Sequence, residues 1–208
     1  MAVTMTSQVT DGRSLRRARN RASVLDAVIE IFESGDLSPS VDDVAERAGV
    51  SNRSVYRYFE HRDHLIRAAV TYAMRRVVPE VTLEQVGVGS FEERVERFVD
   101  HRLRMYEQLA PITRAAKLAA MSEPIIGEEF AAGRLILRQS FLDHFAEEFE
   151  PLGPSDRSRA VIAAELAFQF EAFEFLWTAT NGMIDEMRSL LIDQLEMCLG
   201  RLRYAKSA

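Results

Sequence analysis

The chain has 208 residues and a formal net charge of −6, with 47% hydrophobic and 28% charged residues. That length buries a sizeable core in one large domain or two small ones, and that balance excludes a disordered chain. No apolar run approaches the ~20 residues of a membrane helix, the opening MAVTMTSQVTDG lacks the basic start and apolar centre of a secretory signal, and the single cysteine, Cys198, leaves no internal disulfide; the expectation is a cytoplasmic protein with no membrane partner.

The charge is uneven. Residues 1–67 hold ten arginines against ten acids, whereas residues 68–208 hold sixteen basic and twenty-two acidic groups. Within the first part, RSLRRARNR (13–21) carries five arginines and no acid, the composition of an arm that follows phosphates.

Taken in order, nearly every informative segment has helical period. Val24, Val28, Ile31 and Phe32 predict a first helix over 14–34, closed by Gly35. Ser40 precedes VDDVAERAG and caps a second helix, with Asp43 giving an acidic capping box. Gly49 ends it, Ser51 caps a third, and a fourth runs from about His61 to Val78, where Pro79 stops it. Residues 80–90 read as a connector. Further helices are expected over 91–109, from Pro111 to Met121, 124–149, 157–180 with Ser155 as its cap, and 184–203, with Asn181-Gly182 breaking the last pair. No strand and no internal repeat is evident. The chain reads as all-α, with about nine helices: a tail (1–13), a three-helix helix-turn-helix DNA-binding domain (14–66), and a C-terminal helical bundle for ligand binding and dimerisation (67–208).

The front motif is VDDVAERAGVSNRSVYRYF, residues 41–59. Two helices joined by a short turn cross closely only where side chains are small, and Ala45 and Ala48 are small there. Gly49 takes the left-handed conformation that bends the chain, and Val44, Val50 and Val55 close a small core. Counting about 100° per residue from Val55, Phe59 falls at about 40°, on the buried side, while Tyr56, Arg53, Arg57 and Ser54 fall at about 100°, 160°, 200° and 260°. The outer face is therefore rich in donors, with Ser51 and Asn52 projecting past the helix start. A major groove offers base-edge acceptors and thymine methyls flanked by phosphate; arginine is bidentate to guanine and asparagine to adenine, and tyrosine hydroxyls reach phosphate. Free N–H groups near Ser40 and Arg62 suit phosphate too. The bland reading is a solvated face; the crossing residues, the polar outer face and the arginine arm together outweigh it. The expected DNA contacts are Arg16, Arg17, Ser40, Ser51, Asn52, Arg53, Ser54, Tyr56, Arg57, Tyr58 and Arg62.

From Arg16 to about Ala69 the chain resembles the DNA-binding domain of the TetR family of transcriptional regulators. The resemblance rests on Ser40, Val44-Ala45, Ala48-Gly49-Val50-Ser51, Val55-Tyr56, Phe59 and Leu65. Arg53 stands where the family pattern has Gly or Pro, Tyr58 where it often has His, and Arg62 where it has Lys. The resemblance implies a C-terminal domain that dimerises through its last two helices and holds a small-molecule pocket, and a repressor released from its operator by an effector.

The rear sequence supports this on its own terms. Residues 160–177 carry Val161, Ile162, Leu166, Phe168, Phe170, Phe173, Phe175, Leu176 and Trp177 on most sides of a helix, so protein surrounds it, and a second copy of the chain can supply one wall. A two-fold dimer matches paired half-sites in a palindromic operator. In the helix from Phe91, Arg102 sits near the centre of an apolar stripe. A charge aimed at a core needs a partner: either a structural pair with a glutamate such as Glu171 or Glu174, or the polar end of a largely apolar effector walled by Tyr106, Phe170, Phe173, Glu174 and Trp177. No Gly-rich phosphate loop, nucleophile elbow or HExxH is present, so no catalytic role and no cofactor are expected. His61 and His64 superficially suggest a metal pair, but at a helix start solvated histidines fit better, and no metal site is expected. The remaining alternative is a helix-turn-helix module that makes protein contacts only.

Overall fold

A computed structural model describes residues 12–80, 82–121 and 124–204. Among them are ten helices and no strand: α1 (Gly12–Glu33), α2 (Val41–Arg47), α3 (Asn52–Tyr58), α4 (Arg62–Glu80), α5 (Phe91–Ala120), α6 (Pro124–His144), α7 (Ala146–Phe149), α8 (Pro154–Leu166), α9 (Phe170–Ala179) and α10 (Ile184–Tyr204). The chain divides into two compact units. One comprises residues 1–73 and 111–123, the other 74–110 and 124–208.

In the first unit α1, α2 and α3 pack on one another. Val24, Leu25, Val28, Ile31 and Phe32 of α1 are buried, as are Val44 and Ala45 of α2 and Val55 of α3. The expected stripe on α1 is therefore its core face. Val50, expected in this small core, is only half-buried. Phe59 is buried, but not as part of α3: it is the C-cap residue, with extended backbone (φ −136°, ψ 119°), and reaches the core as the chain leaves the helix.

The second unit is built on aromatic packing. Phe98 of α5 meets Phe141 and Phe145 of α6 and its end at 5.3 and 5.5 Å between ring centroids, and Phe168 at 5.0 Å. Helix α10 packs on α7, α8 and α9, and buries Met187, Leu191, Leu195 and Leu199. Arg188 of α10 donates to Asp100 and Glu96 of α5 at 2.6 and 3.0 Å.

Five expectations about elements are corrected. Helix α4 does not stop at Val78 but runs through Pro79 to Glu80. Helix α5 does not stop at Leu109 but continues through Pro111; Leu109, Ala110, Ile112, Ala115 and Ala116 are all buried, and that packing offsets the backbone bond proline removes. Residues 124–149 form two helices, broken at Phe145. Helix α8 starts on Gly153 with Pro154 at its first position, rather than on Ser155, because proline's fixed φ and missing N–H suit that place. The span 157–180 is also two helices, parted at 167–169 with Gln169 as the extended N-cap of α9. Such a break releases carbonyls from the helical ladder. Side chains take them: the Gln169 amide donates to the Glu165 carbonyl at 3.2 Å, and the Tyr106 hydroxyl donates to the Phe168 carbonyl at 2.6 Å.

Candidate functional site

The exposed side of the first unit is organised by two caps and one bend. Ser40 Oγ accepts from the Asp43 N–H at 3.2 Å while the Asp43 carboxylate accepts from the Ser40 N–H at 2.9 Å, a full capping box. The Ser40 hydroxyl also donates to the Asp43 carboxylate at 2.5 Å, and that bond first, then the Ser40 N–H, holds the Asp43 carboxyl below its ordinary pKa. Gly49, at φ +64°, supplies the left-handed turn after α2. Ser51 then caps α3, accepting from the Ser54 N–H at 3.3 Å with its own hydroxyl 3.1 Å from that of Ser54.

Helix α3 carries no acid and turns its charge outward. Arg53, Tyr56 and Arg57 are exposed, Tyr56 by 54%. Arg57 is not a loose chain: its guanidinium lies 5.0 Å from the Tyr58 ring centroid and donates to the Tyr58 hydroxyl at 2.9 Å. That bond pre-orders both groups, lowering the entropy cost of meeting a ligand. Asn52 is braced as well, its amide donating to the Asp42 carboxylate of α2. The bond fixes the amide orientation and ties the start of α3 to α2.

Arg16 and Arg17 are exposed on α1. Arg21, from the same arm, instead lies 5.1 Å over the Phe59 ring. Arg62 also has a local occupation that sequence reasoning missed. Its Nε donates to the Pro39 carbonyl at 2.9 Å, its Nη2 to Ser38 Oγ at 2.6 Å, and its Nη1 lies 3.5 Å from Asp63. Arg62 thus staples the turn before α2 to the start of α4, beside a cleft of about 230 Å³ lined by Leu37, Ser38, Asp63, Ile66, Leu118 and Ala119. His61 and His64 serve helix geometry: His61 Nδ1 accepts from the His64 N–H at 3.0 Å at the head of α4.

In the second unit, four of the six expected pocket residues form one aromatic train. Tyr106 lies 5.7 Å from Phe170 and 5.4 Å from Phe173, and Phe173 lies 5.9 Å from Trp177. Trp177 is the exposed end of it. Burial pushes the Tyr106 hydroxyl up to about 12, so it is a neutral donor. Arg102 is buried near its foot; the described contacts of its guanidinium are the Leu137 carbonyl, the Met105 sulfur and the Phe98 ring face. Neither Glu171 nor Glu174 is among them. The carboxylate acting on it electrostatically is Glu165, which pairs with Arg138 at 3.8 Å. Glu174 is half-buried on α9, its carbonyl accepting from Thr178.

Two helices joined at a glycine bend, the second presenting an acid-free basic face, define a helix-turn-helix DNA-binding protein. A family model described as bacterial regulatory proteins, tetR family, matches residues 24–69. The chain is 30% identical over 157 residues to the uncharacterized HTH-type transcriptional regulator Rv1255c of Mycobacterium tuberculosis, covering 74% of this chain and 76% of that protein. It is 24% identical over 142 residues to the HTH-type transcriptional regulator BetI of Rhizobium meliloti, covering 68% and 70%. A solved structure from Rhodococcus sp. assigned to the TetR family superposes with a TM-score of 0.65 at 19% identity, over 87% of this chain and 99% of that one. One from Mesorhizobium loti gives 0.64 at 17%, over 89% and 97%. These structural likenesses show the fold. The chain belongs to the TetR family of transcriptional regulators, a non-enzymatic class.

Proposed function

We propose that this protein is a dimeric, sequence-specific repressor that occupies a palindromic operator and is released by a small, largely apolar effector. Residues 14–66 bind DNA and residues 67–208 dimerise and take the effector, in the cytoplasm. The single observation that carries the reading is the exposed, capped and pre-ordered face of Arg53, Tyr56 and the Arg57–Tyr58 pair. Arg53 and Arg57 suit guanine edges, Asn52 and Ser54 flank them, and Tyr56, Ser40, Ser51, Arg16 and Arg17 suit phosphates. Arg62, with its donors already engaged, acts by holding the Ser40 end of α2 in place.

Dimerisation is supported by large apolar side chains left in water on the last three helices: Ile162 and Leu166 on α8, Phe175 on α9, Leu190 and Met197 on α10. Burial against a second copy would take each of them out of water. Effector release needs only a state-dependent affinity, typically ~1–3 kcal/mol of coupling. By linkage, operator weakens effector binding by the same factor.

Selection of bound sequences from random duplex DNA tests the reading. The expected product is one palindrome with half-sites about one helical turn apart, bound less tightly as salt rises. No enriched sequence, or binding indifferent to salt, sinks it in favour of a module that contacts protein.

A further inference from the structure

Helix α5 carries two buried arginines, and they are treated in opposite ways. Arg94 is 2% exposed and Arg102 is 3% exposed. A buried guanidinium is tolerable when carboxylates and carbonyls absorb its charge and its protons. Arg94 has such a shell: Nη2 meets Glu148 at 2.6 Å and Glu147 at 3.3 Å, and Nη1 donates to the His144 carbonyl at 3.4 Å. About two turns further along, Arg102 has a carbonyl but no carboxylate within ion-pair reach among the described residues. Nη2 donates to the Leu137 carbonyl at 2.9 Å, Nη1 points at the Met105 sulfur at 3.9 Å, and the plane lies 4.7 Å from the Phe98 centroid. Its Nε has no hydrogen-bond partner among the described residues, as is also true of Arg94 Nε, so the difference between the two lies in the carboxylates. Among the described residues no carboxylate is seated on it, and burial is the leading influence on its proton affinity, pulling it down.

A buried guanidinium with no carboxylate seated on it and a free Nε–H, set among aromatic side chains, is half of an ion pair. We infer that Arg102 binds a monocarboxylate with an aromatic or similarly apolar body, the carboxylate accepting from Nε and the body lying along the train of Tyr106, Phe170 and Phe173. The inference deepens the effector part of the function proposed above and rests on that reading. A phosphate monoester fits less well: it brings more charge and more acceptor oxygens than one guanidinium with two of its nitrogens engaged can serve. Tyr106 does not compete for the anion, because its proton is already committed to the Phe168 carbonyl. Glu165 acts on Arg102 only through space: its ion pair is with Arg138 at 3.8 Å, and burial pushes its carboxyl up.

The experiment uses benzoate, with benzamide as the uncharged partner of the same shape, on the full chain without DNA. Titration calorimetry is expected to give a single site for benzoate, a raised melting temperature, and no effect of benzamide. Arg102→Met is expected to lose at least tenfold in benzoate affinity and to melt no lower than wild type, since the change removes a buried charge that no carboxylate is seated on. Arg94→Met, which strands buried Glu148, is expected to melt lower and calibrates that comparison. Equal binding of benzamide, no binding of benzoate to wild type, or an Arg102→Met variant that keeps benzoate affinity or melts well below wild type each overturns the inference. None of these readouts involves DNA, so a failed operator selection sinks the proposed function separately.

Discussion

Individual side chains on α3 divide into those free to meet a ligand and those spent on the protein. Arg53 is exposed and has no structural task among the described contacts of the helix. Arg53→Ala is therefore expected to weaken the selected operator by about ten- to a hundredfold, the loss of one base contact of ~1–3 kcal/mol, with melting temperature unchanged; fluorescence anisotropy and thermal melts check both halves. Its position was readable from sequence because a seven-residue helix leaves few ways to bury Val55 without turning Arg53 and Tyr56 outward. The fates of Arg62, Arg21 and Asn52 were not readable. Each depends on a partner on another element: Ser38 and Pro39 for Arg62, Phe59 for Arg21, Asp42 for Asn52. Nothing in the local spacing announces such pairs.

Elements show the same division. The Ser40–Asp43 box and the Gly49 bend are local chemistry, and both were legible. The gap between α8 and α9 was not, since residues 160–180 contain neither Gly nor Pro, and one donor that makes the gap tolerable is Tyr106 on α5. Removing that hydroxyl strands the Phe168 carbonyl, so Tyr106→Phe is expected to cost about 1–3 kcal/mol in denaturant unfolding. A costless substitution would mean water replaces the hydroxyl. The 82–90 connector is held in a related manner. The Gly87 N–H donates to His144 Nδ1 at 3.2 Å, and His144 Nε2 meets the Arg94 carbonyl at 3.0 Å. An imidazole that accepts at one nitrogen and donates at the other is neutral. Burial pulls its proton affinity down, with the Arg94 and Arg97 charges adding to the effect. The unfolded chain thus binds the proton more readily, so the stability His144 contributes is whole above about pH 6.5 and declines as pH falls below that value, by at most about 1.4 kcal/mol per pH unit. Glu148, pushed up by burial, contributes in the opposite sense, losing stability as pH rises above the ordinary carboxylate range. Melts of wild type and His144→Gln between pH 7.5 and 5.5 separate the two: the variant is expected to show the shallower decline.

At the scale of the whole molecule, the proposed reading of a palindrome requires assembly. Phe175 is 70% exposed and Leu166 65% exposed, a cost in water that the proposed dimer would recover at about 25 cal/mol per Å² of apolar surface buried. Phe175→Glu is expected to shift sedimentation from dimer to monomer at micromolar concentration and to weaken operator binding through loss of the second half-site. An unchanged dimer places the interface elsewhere. The all-α outline and the front module were legible because apolar period and caps repeat along the sequence; the aromatic train was legible only as a list of large residues, since their mutual distances are set by the break before α9. One brace on the front module also limits how this regulator can be re-engineered. Because Asn52 leans on Asp42, the reading helix is not a free cassette: transplanting α3 alone onto another scaffold leaves its first turn unmoored, and any swap of operator preference has to carry the acidic start of α2 along with it.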